Sequence, residues 1–235
     1  MCYSNSSTSS NETLRQRYKR SVQLLPPETP VYYANGFSFP TWRIITKAPT
    51  ITLMKWGLIP HWYRGNTPLD FASKTLNARI ETLHEKASFK PLTATHRCVV
   101  PSSGFFEFKH LNGVKIPYFI YPKEQSIFSM AGLYDEWFNP ETKEYLRCFT
   151  IITAAANPLM EEIHNSKKRM PLILPNNQVE QYLNGTDKIQ HFSPIPPEEM
   201  SAHPIAKGII FSQHANVPAV QQPIVNNIEE QTRLF

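Results

Sequence analysis

Prolines set the first limit on what this chain can fold into: 21 of its 235 residues are Pro. Proline lacks a backbone N–H and its ring clashes with the preceding helical turn. Frequent Pro therefore favours strands, turns and irregular connections over long helices. Short β-like runs are found at Val31–Tyr33, Trp42–Thr46, Ile51–Trp56, Cys98–Val100, Gly104–Lys109, Tyr118–Tyr121, Ile127–Leu133 and Leu146–Thr153. Asn112-Gly113 predicts a hairpin turn between two of them. An amphipathic helix is expected from Asn11 to about Arg20, where Leu14 and Tyr18 sit four apart among charged residues. Further helices are expected over residues 76–86, from Pro158 to about His164, and over Asn177–Tyr182, ending near Asn184-Gly185. Ser4–Ser10 has little apolar character to bury, and the tail from Gln213 reads as a last strand pair or an extended arm. With no internal repeat and no long low-complexity linker, the expectation is one domain over residues 1–235. Its class is α+β: a β-rich unit with a curved, barrel-like antiparallel sheet and peripheral helices.

Several function classes are excluded at this stage. The three cysteines, Cys2, Cys98 and Cys148, form no CxxC pair, which argues against a structural zinc site. A disulfide framework is equally disfavoured, as suits a reducing cytosol. The N-terminal stretch MCYSNSSTSSNE has no apolar segment, so neither a signal peptide nor a lipoprotein cysteine is expected. No apolar run approaches membrane-spanning length. The formal charge of +5 permits a polyanionic partner without requiring one.

Cys2 carries the most chemistry. Only Met1 precedes it, so loss of one residue would expose a free α-amine and a thiol two carbons apart. An amine adds to an aldehyde to give a Schiff base, and the neighbouring thiol can close a five-membered thiazolidine. No internal cysteine can do this, because its nitrogen is tied into a peptide bond. Such covalent chemistry needs a proton shuttle. Glu107, inside Phe105-Phe106-Glu107-Phe108, is one candidate, since a carboxylate is costly to bury unless paired. Strand alternation sets it opposite Phe106 and Phe108, and the competing reading is an exposed residue pairing with Lys109 or a cross-strand base. His164 is the second candidate, against a surface or capping histidine. Asn77 can donate and accept, or simply cap a helix. Arg79 can contact phosphate, or pair with Glu81 or Glu85. Lys167-Lys168-Arg169 is either a solvated basic turn or a phosphate contact. Trp56, Trp62 and Phe108 are either core or platforms on which unpaired bases stack.

Four segments, taken with Met1-Cys2, carry a resemblance: Asn77-Ala78-Arg79-Ile80-Glu81-Thr82, the run from Arg97 to Phe108, Asn157-Pro158 through Ile163-His164 with Arg169-Met170-Pro171, and Trp56-Gly57-Leu58-Ile59-Pro60-His61-Trp62. Together they resemble the SOS response-associated peptidase family, whose members process abasic sites in DNA by forming a DNA–protein crosslink. The resemblance implies Cys2, Asn77, Glu107 and His164 as catalytic residues. Glu107 would orient the amine and handle protons, His164 would protonate the sugar ring oxygen, and Asn77 would hold the crosslinked cysteine. Arg79, Arg169, Trp56 and Phe108 would bind DNA, with no metal and no cofactor. It implies single-stranded DNA with abasic sites as partner, no membrane, a monomer, and a bacterial cytoplasmic location near the nucleoid and replication. Abasic lyase activity and autocatalytic removal of Met1 are implied too. Two departures stand out. Residues 165–168 lengthen the spacing between His164 and Arg169, and Tyr3-Ser4 stands where many members have Gly-Arg, leaving Tyr3 to stack or pack. The competing functions are an N-terminal-nucleophile amidohydrolase using Cys2 and a non-catalytic single-stranded-DNA-binding module. The first is disfavoured because its nucleophile would open a β-strand. The second leaves Glu107 and His164 unexplained, and its binding would be salt-sensitive and indifferent to Cys2.

Overall fold

The computed structural model of the protein describes residues 2–23, 25–124 and 127–224. Met1, expected to be removed, and the last part of the tail (225–235) lie outside the described residues. In chain order the elements are β1 (Ser4–Ser7), α1 (Asn11–Tyr18), β2 (Val31–Asn35), β3 (Thr41–Ile44), β4 (Thr52–Trp56), α2 (Pro68–Lys74) and β5 (Asn77–Arg79). There follow β6 (Arg97–Ser102), β7 (Gly104–Leu111), β8 (Val114–Pro122), β9 (Phe128–Asn139), β10 (Glu144–Ala155) and α3 (Pro158–Ile163). The remainder comprises β11 (Arg169–Pro171), β12 (Ile173–Leu174), α4 (Val179–Asn184), β13 (Met200–Pro204) and α5 (Lys207–Ile210). The class is α+β and β-rich, with short helices. The strands are divided between two sheets. One runs β13-β8-β7-β1-β2, and the other runs β12-β9-β10-β4-β3 with β6 on β9 and β5 and β11 on β10. Two pairings, β10 with β4 and with β5, are parallel.

The turn chemistry is as the sequence predicts. Asn112 and Gly113 both have positive φ, 48° and 78°, the conformation a two-residue hairpin between β7 and β8 demands. Ser10 caps α1 by accepting from the Thr13 N–H at 3.0 Å, and Leu14 and Tyr18 are buried. Asn157 caps α3 in the same way through Met160 N.

Two segments differ from expectation, and both matter to the site. Residues 76–86 were expected to be helical, but Asn77, Ala78 and Arg79 pair in parallel with Ile151, Ile152 and Thr153, and turns follow. Long-range pairing outweighs local helix preference there. Ser4–Ser7 is a buried strand, with β7 on one side and β2 on the other. Its polar side chains are satisfied within the sheet rather than by water: Ser6 Oγ donates to Gly104 O at 2.9 Å, and Asn5 Oδ1 accepts from Ser6 N and Ser102 Oγ. The register pairs Ser4 with Phe106 and Asn5 with Phe105. It therefore carries Cys2 and Tyr3 up alongside Glu107.

Candidate active site

Cys2 is fully buried, in a cluster with Trp56, Phe105, Phe149, Met160 and Ile163. Burial first, and the charge of Glu107 second, push its thiol far above the ordinary range, so the sulfur keeps its proton at neutral pH. The Cys2 carbonyl accepts from Asn77 Nδ2 at 2.9 Å. Asn77 Oδ1 is buried and finds no hydrogen-bond partner among the described residues. Asn77 reaches this place because β5 is a strand on β10, not a helix.

Glu107 lies on β7 and is 6% exposed. Burial pushes its carboxyl up to about 7, opposed by the Phe108 backbone N–H. Phe105 belongs to the cluster around Cys2, whereas Phe106 belongs to a separate cluster with Phe108 packed against it. Alternation along β7 therefore turns Glu107 toward Cys2, away from both phenylalanines.

His164 is the C-terminal cap of α3 and is 5% exposed. Its Nδ1 is 2.8 Å from Arg169 O and 3.7 Å from Glu107 Oε1. A carbonyl oxygen only accepts, so Nδ1 carries the hydrogen and Nε2 of the neutral ring keeps a lone pair. Burial lowers the pKa of the ring below its usual value, keeping it neutral at pH 7. The extra residues before Arg169 are absorbed by a tight turn. Lys168 takes a positive φ of 49° and its N–H returns to His164 O at 2.8 Å. Asn165 is bound to the backbone of His110 at both amide atoms. The turn brings Arg169 O back to His164 despite the longer spacing.

A cleft of about 360 Å³ opens at Glu107 and His164, lined also by Tyr3, Phe108, Lys115 and Lys167. Phe108 is half-buried and stacks on Phe211 with ring centroids 5.8 Å apart. Arg79, at the end of β5, is exposed.

Two of the expected DNA contacts are placed otherwise. Trp56 is 1% exposed, stacked on Phe149 and donating Nε1–H to Leu76 O, so it is a core residue and offers no face to a base. Arg169 turns its guanidinium inward, forking onto Glu81 and donating to Thr153 O. Glu81, considered as a partner for Arg79, is thus taken by Arg169. Lys115 reaches the cleft from the β7–β8 hairpin and Phe211 from a distant segment, and neither carries a local motif in the sequence. Among the described residues no three His, Cys, Asp or Glu side chains gather into a group that could hold a metal, and no helix is long and apolar enough to cross a membrane.

These features define a class: an α+β protein with a buried cysteine at position 2, faced by a carboxyl and a neutral imidazole. The family model described as SOS response associated peptidase (SRAP) matches residues 1–210, and the chain belongs to that family. It is similar to the Abasic site processing protein YoqW of Bacillus subtilis, 37% identical over 171 residues, covering 70% of this chain and 73% of that protein. The Abasic site processing protein HMCES of Xenopus tropicalis is 33% identical, over 74% of this chain and 58% of that longer protein. Among solved structures, that of a protein from Bacteroides thetaiotaomicron is 36% identical with a TM-score of 0.87, covering 94% of this chain and 99% of that one.

Proposed function

We propose that this chain processes abasic sites in single-stranded DNA by crosslinking them covalently to Cys2. The observation that carries the reading is the meeting of Glu107 and His164, 3.7 Å apart, beside a cysteine that only Met1 separates from the N-terminus. Loss of Met1, proposed to be autocatalytic, frees the Cys2 α-amine. Such an amine has an ordinary pKa of about 7.7–8.0, and burial raises the Glu107 carboxyl toward that range. A proton therefore passes between them readily. His164 can exchange a proton with substrate only at Nε2: its lone pair there takes the proton of the C1′ hydroxyl, and the transient imidazolium returns it to the sugar ring oxygen, opening the aldehyde. The amine nitrogen adds to C1′, water leaves, and a Schiff base forms. The sulfur then adds to the imine carbon, its proton passes to the nitrogen, and a thiazolidine closes with net loss of water. The Schiff base also admits β-elimination, so lyase activity is part of the proposal. Asn77 holds the Cys2 carbonyl throughout, while Arg79, Lys115 and Lys167 meet phosphates and Phe108 supports an unpaired base. A single strand is the substrate because C1′ within a duplex is reached only by distortion.

Incubation with an abasic single-stranded oligonucleotide tests this. Intact mass should show loss of Met1 and gain of the oligonucleotide less one water. Cys98→Ala should form the adduct and Cys2→Ala should not; efficient crosslinking by Cys2→Ala would falsify the mechanism.

A second reading, the cysteine amidohydrolase, gains one observation: β1 is a buried strand that begins at Ser4, two residues after Cys2. Glutaminase activity lost in Cys2→Ala would decide in its favour.

A further inference from the structure

We propose that Tyr3 and Phe37 form a stacking platform for the unpaired base next to the abasic residue, so that the protein discriminates abasic sites by their neighbouring base. This rests on the abasic-site reading above and adds a subsite to it. Tyr3 directly follows Cys2 and lines the cleft with Glu107 and His164. Its ring lies 5.0 Å from that of Phe37, at 40°. Phe37 is 50% exposed and belongs to none of the three apolar clusters, so packing does not account for a large apolar ring at this position.

The loop that presents Phe37 is held firmly. Gly36 N–H donates to Tyr3 O at 2.7 Å, tying the two ring-bearing segments together. Asn35 Oδ1 accepts from Phe37 N–H at 3.0 Å, and Ser38 Oγ donates to Asn35 O. Beneath them the indole of Trp56 lies so close that a Cβ at Gly36 would sit 3.3 Å from it. Trp56, which offers no face to DNA, thus supports the loop that does. A ring fixed in advance loses little freedom when a base settles on it. Exposed Arg79 lies close enough for its charge to act on the Tyr3 phenol, which puts a cation for the adjoining phosphate beside the rings. Aromatic faces accept any base, purines giving the larger overlap. A sugar anchored at Cys2 brings the next nucleotide within one side chain's reach of Tyr3.

The test uses the full chain and a single-stranded oligonucleotide carrying a tetrahydrofuran abasic analogue, which has no aldehyde and cannot crosslink. Affinity is measured with adenine, and then with a second tetrahydrofuran, at each neighbouring position in turn. On one side the wild-type protein should prefer adenine by about five-fold or more. Phe37→Ala should bring that ratio near unity, and Phe37→Trp should keep it. A wild-type ratio near unity on both sides overturns the platform, as does a preference that survives in both Phe37→Ala and Tyr3→Ala. Because binding is read without chemistry, a missing adduct on ordinary abasic DNA would overturn the crosslinking mechanism and leave this ratio to decide the platform by itself.

Discussion

Glu107 Oε1 lies 3.7 Å from His164 Nδ1, and burial drives the two groups in opposite directions, the carboxyl up to about 7 and the imidazole down. A desolvated acid resists losing its proton and a desolvated base resists gaining one. The pair therefore meets neutral pH with the carboxyl near its midpoint and the ring uncharged. Opposed shifts of this kind separate acid and base roles within one site. The Arg169 carbonyl fixes which ring nitrogen takes part by holding Nδ1–H.

The rate of crosslinking should follow the ionisation of Glu107. Below its pKa the carboxyl cannot take the amine proton, so the rate should rise with pH through about 7. Glu107→Gln removes the acceptor and should slow the reaction by about a hundred-fold or more. It should also remove the inflection near 7, leaving only the rise that follows the amine's own ionisation at about 7.7–8.0. Single-turnover adduct formation between pH 5 and 9 measures both; an inflection near 7 that persists in Glu107→Gln would assign it elsewhere.

Stability should show the cost of the same carboxyl. Its folded pKa, about 7, is raised above the ordinary 4.5. Below pH 4.5 it is protonated in both states. From there to about 7 the folded protein holds a proton that the unfolded chain has released, so this contribution to stability falls as pH rises. The fall is on the order of 3 kcal/mol. Lowered His164 acts oppositely, contributing stability that is lost as pH falls through its folded pKa. Glu107→Gln lacks the carboxyl slope, so its stability relative to wild type should grow by that amount between about pH 4.5 and 7.5. Urea denaturation at the two pH values provides the comparison, with the His164 slope common to both proteins.

Asn77→Ala should separate holding from folding. Loss of one hydrogen bond to the Cys2 carbonyl costs about 1 kcal/mol of stability. Misplacing the nucleophile costs far more in rate, on the order of ten- to a hundred-fold. A variant with reduced stability and unimpaired crosslinking would leave Asn77 a purely structural residue.

The chemistry-bearing residues were legible where a local rule or a resemblance pointed at them. Strand alternation alone set Glu107 opposite Phe106 and Phe108, and Asn112-Gly113 marked its hairpin. The conformation of Ser4–Ser7 was not legible, because polar side chains conceal a buried strand whose partners, Gly104 and Ser102, lie about a hundred residues away. The chemistry of Asn77 is legible in the sequence but its strand is not, since parallel pairing with Ile151 leaves no trace in a window of residues 76–86. The same limit explains Trp56 and Arg169: an aromatic or a cation declares its chemistry in the sequence, but whether it faces water depends on Phe149 and Glu81, supplied from elsewhere.

Trp56→Ala should behave as a core deletion. The side chain is sealed between Phe149, Trp42 and the Gly36 loop, so its truncation should cost about 3–5 kcal/mol. Trp56→Phe should cost less, losing the bond to Leu76 O while filling most of the volume. Thermal unfolding ranks the two; a Trp56→Ala protein of native stability with weakened DNA binding would return this residue to the interface.

The two arginines should part company under salt. Each phosphate contact on a single strand contributes about 0.7 to the slope of log affinity against log salt. Exposed Arg79 should supply one such contact, so Arg79→Ala should lower the slope by about that amount and leave the unfolding midpoint unchanged. Arg169 is engaged with Glu81 and Thr153, and a lysine cannot reproduce its two-pronged contact. Arg169→Lys should therefore lower stability by about 1 kcal/mol or more and leave the salt slope as it was. Binding to abasic-analogue single strands from low to high salt, paired with denaturation of each variant, reads both quantities. A reduced slope in Arg169→Lys would mean that the guanidinium swings out to the phosphate when DNA arrives, breaking the Glu81 pair on binding.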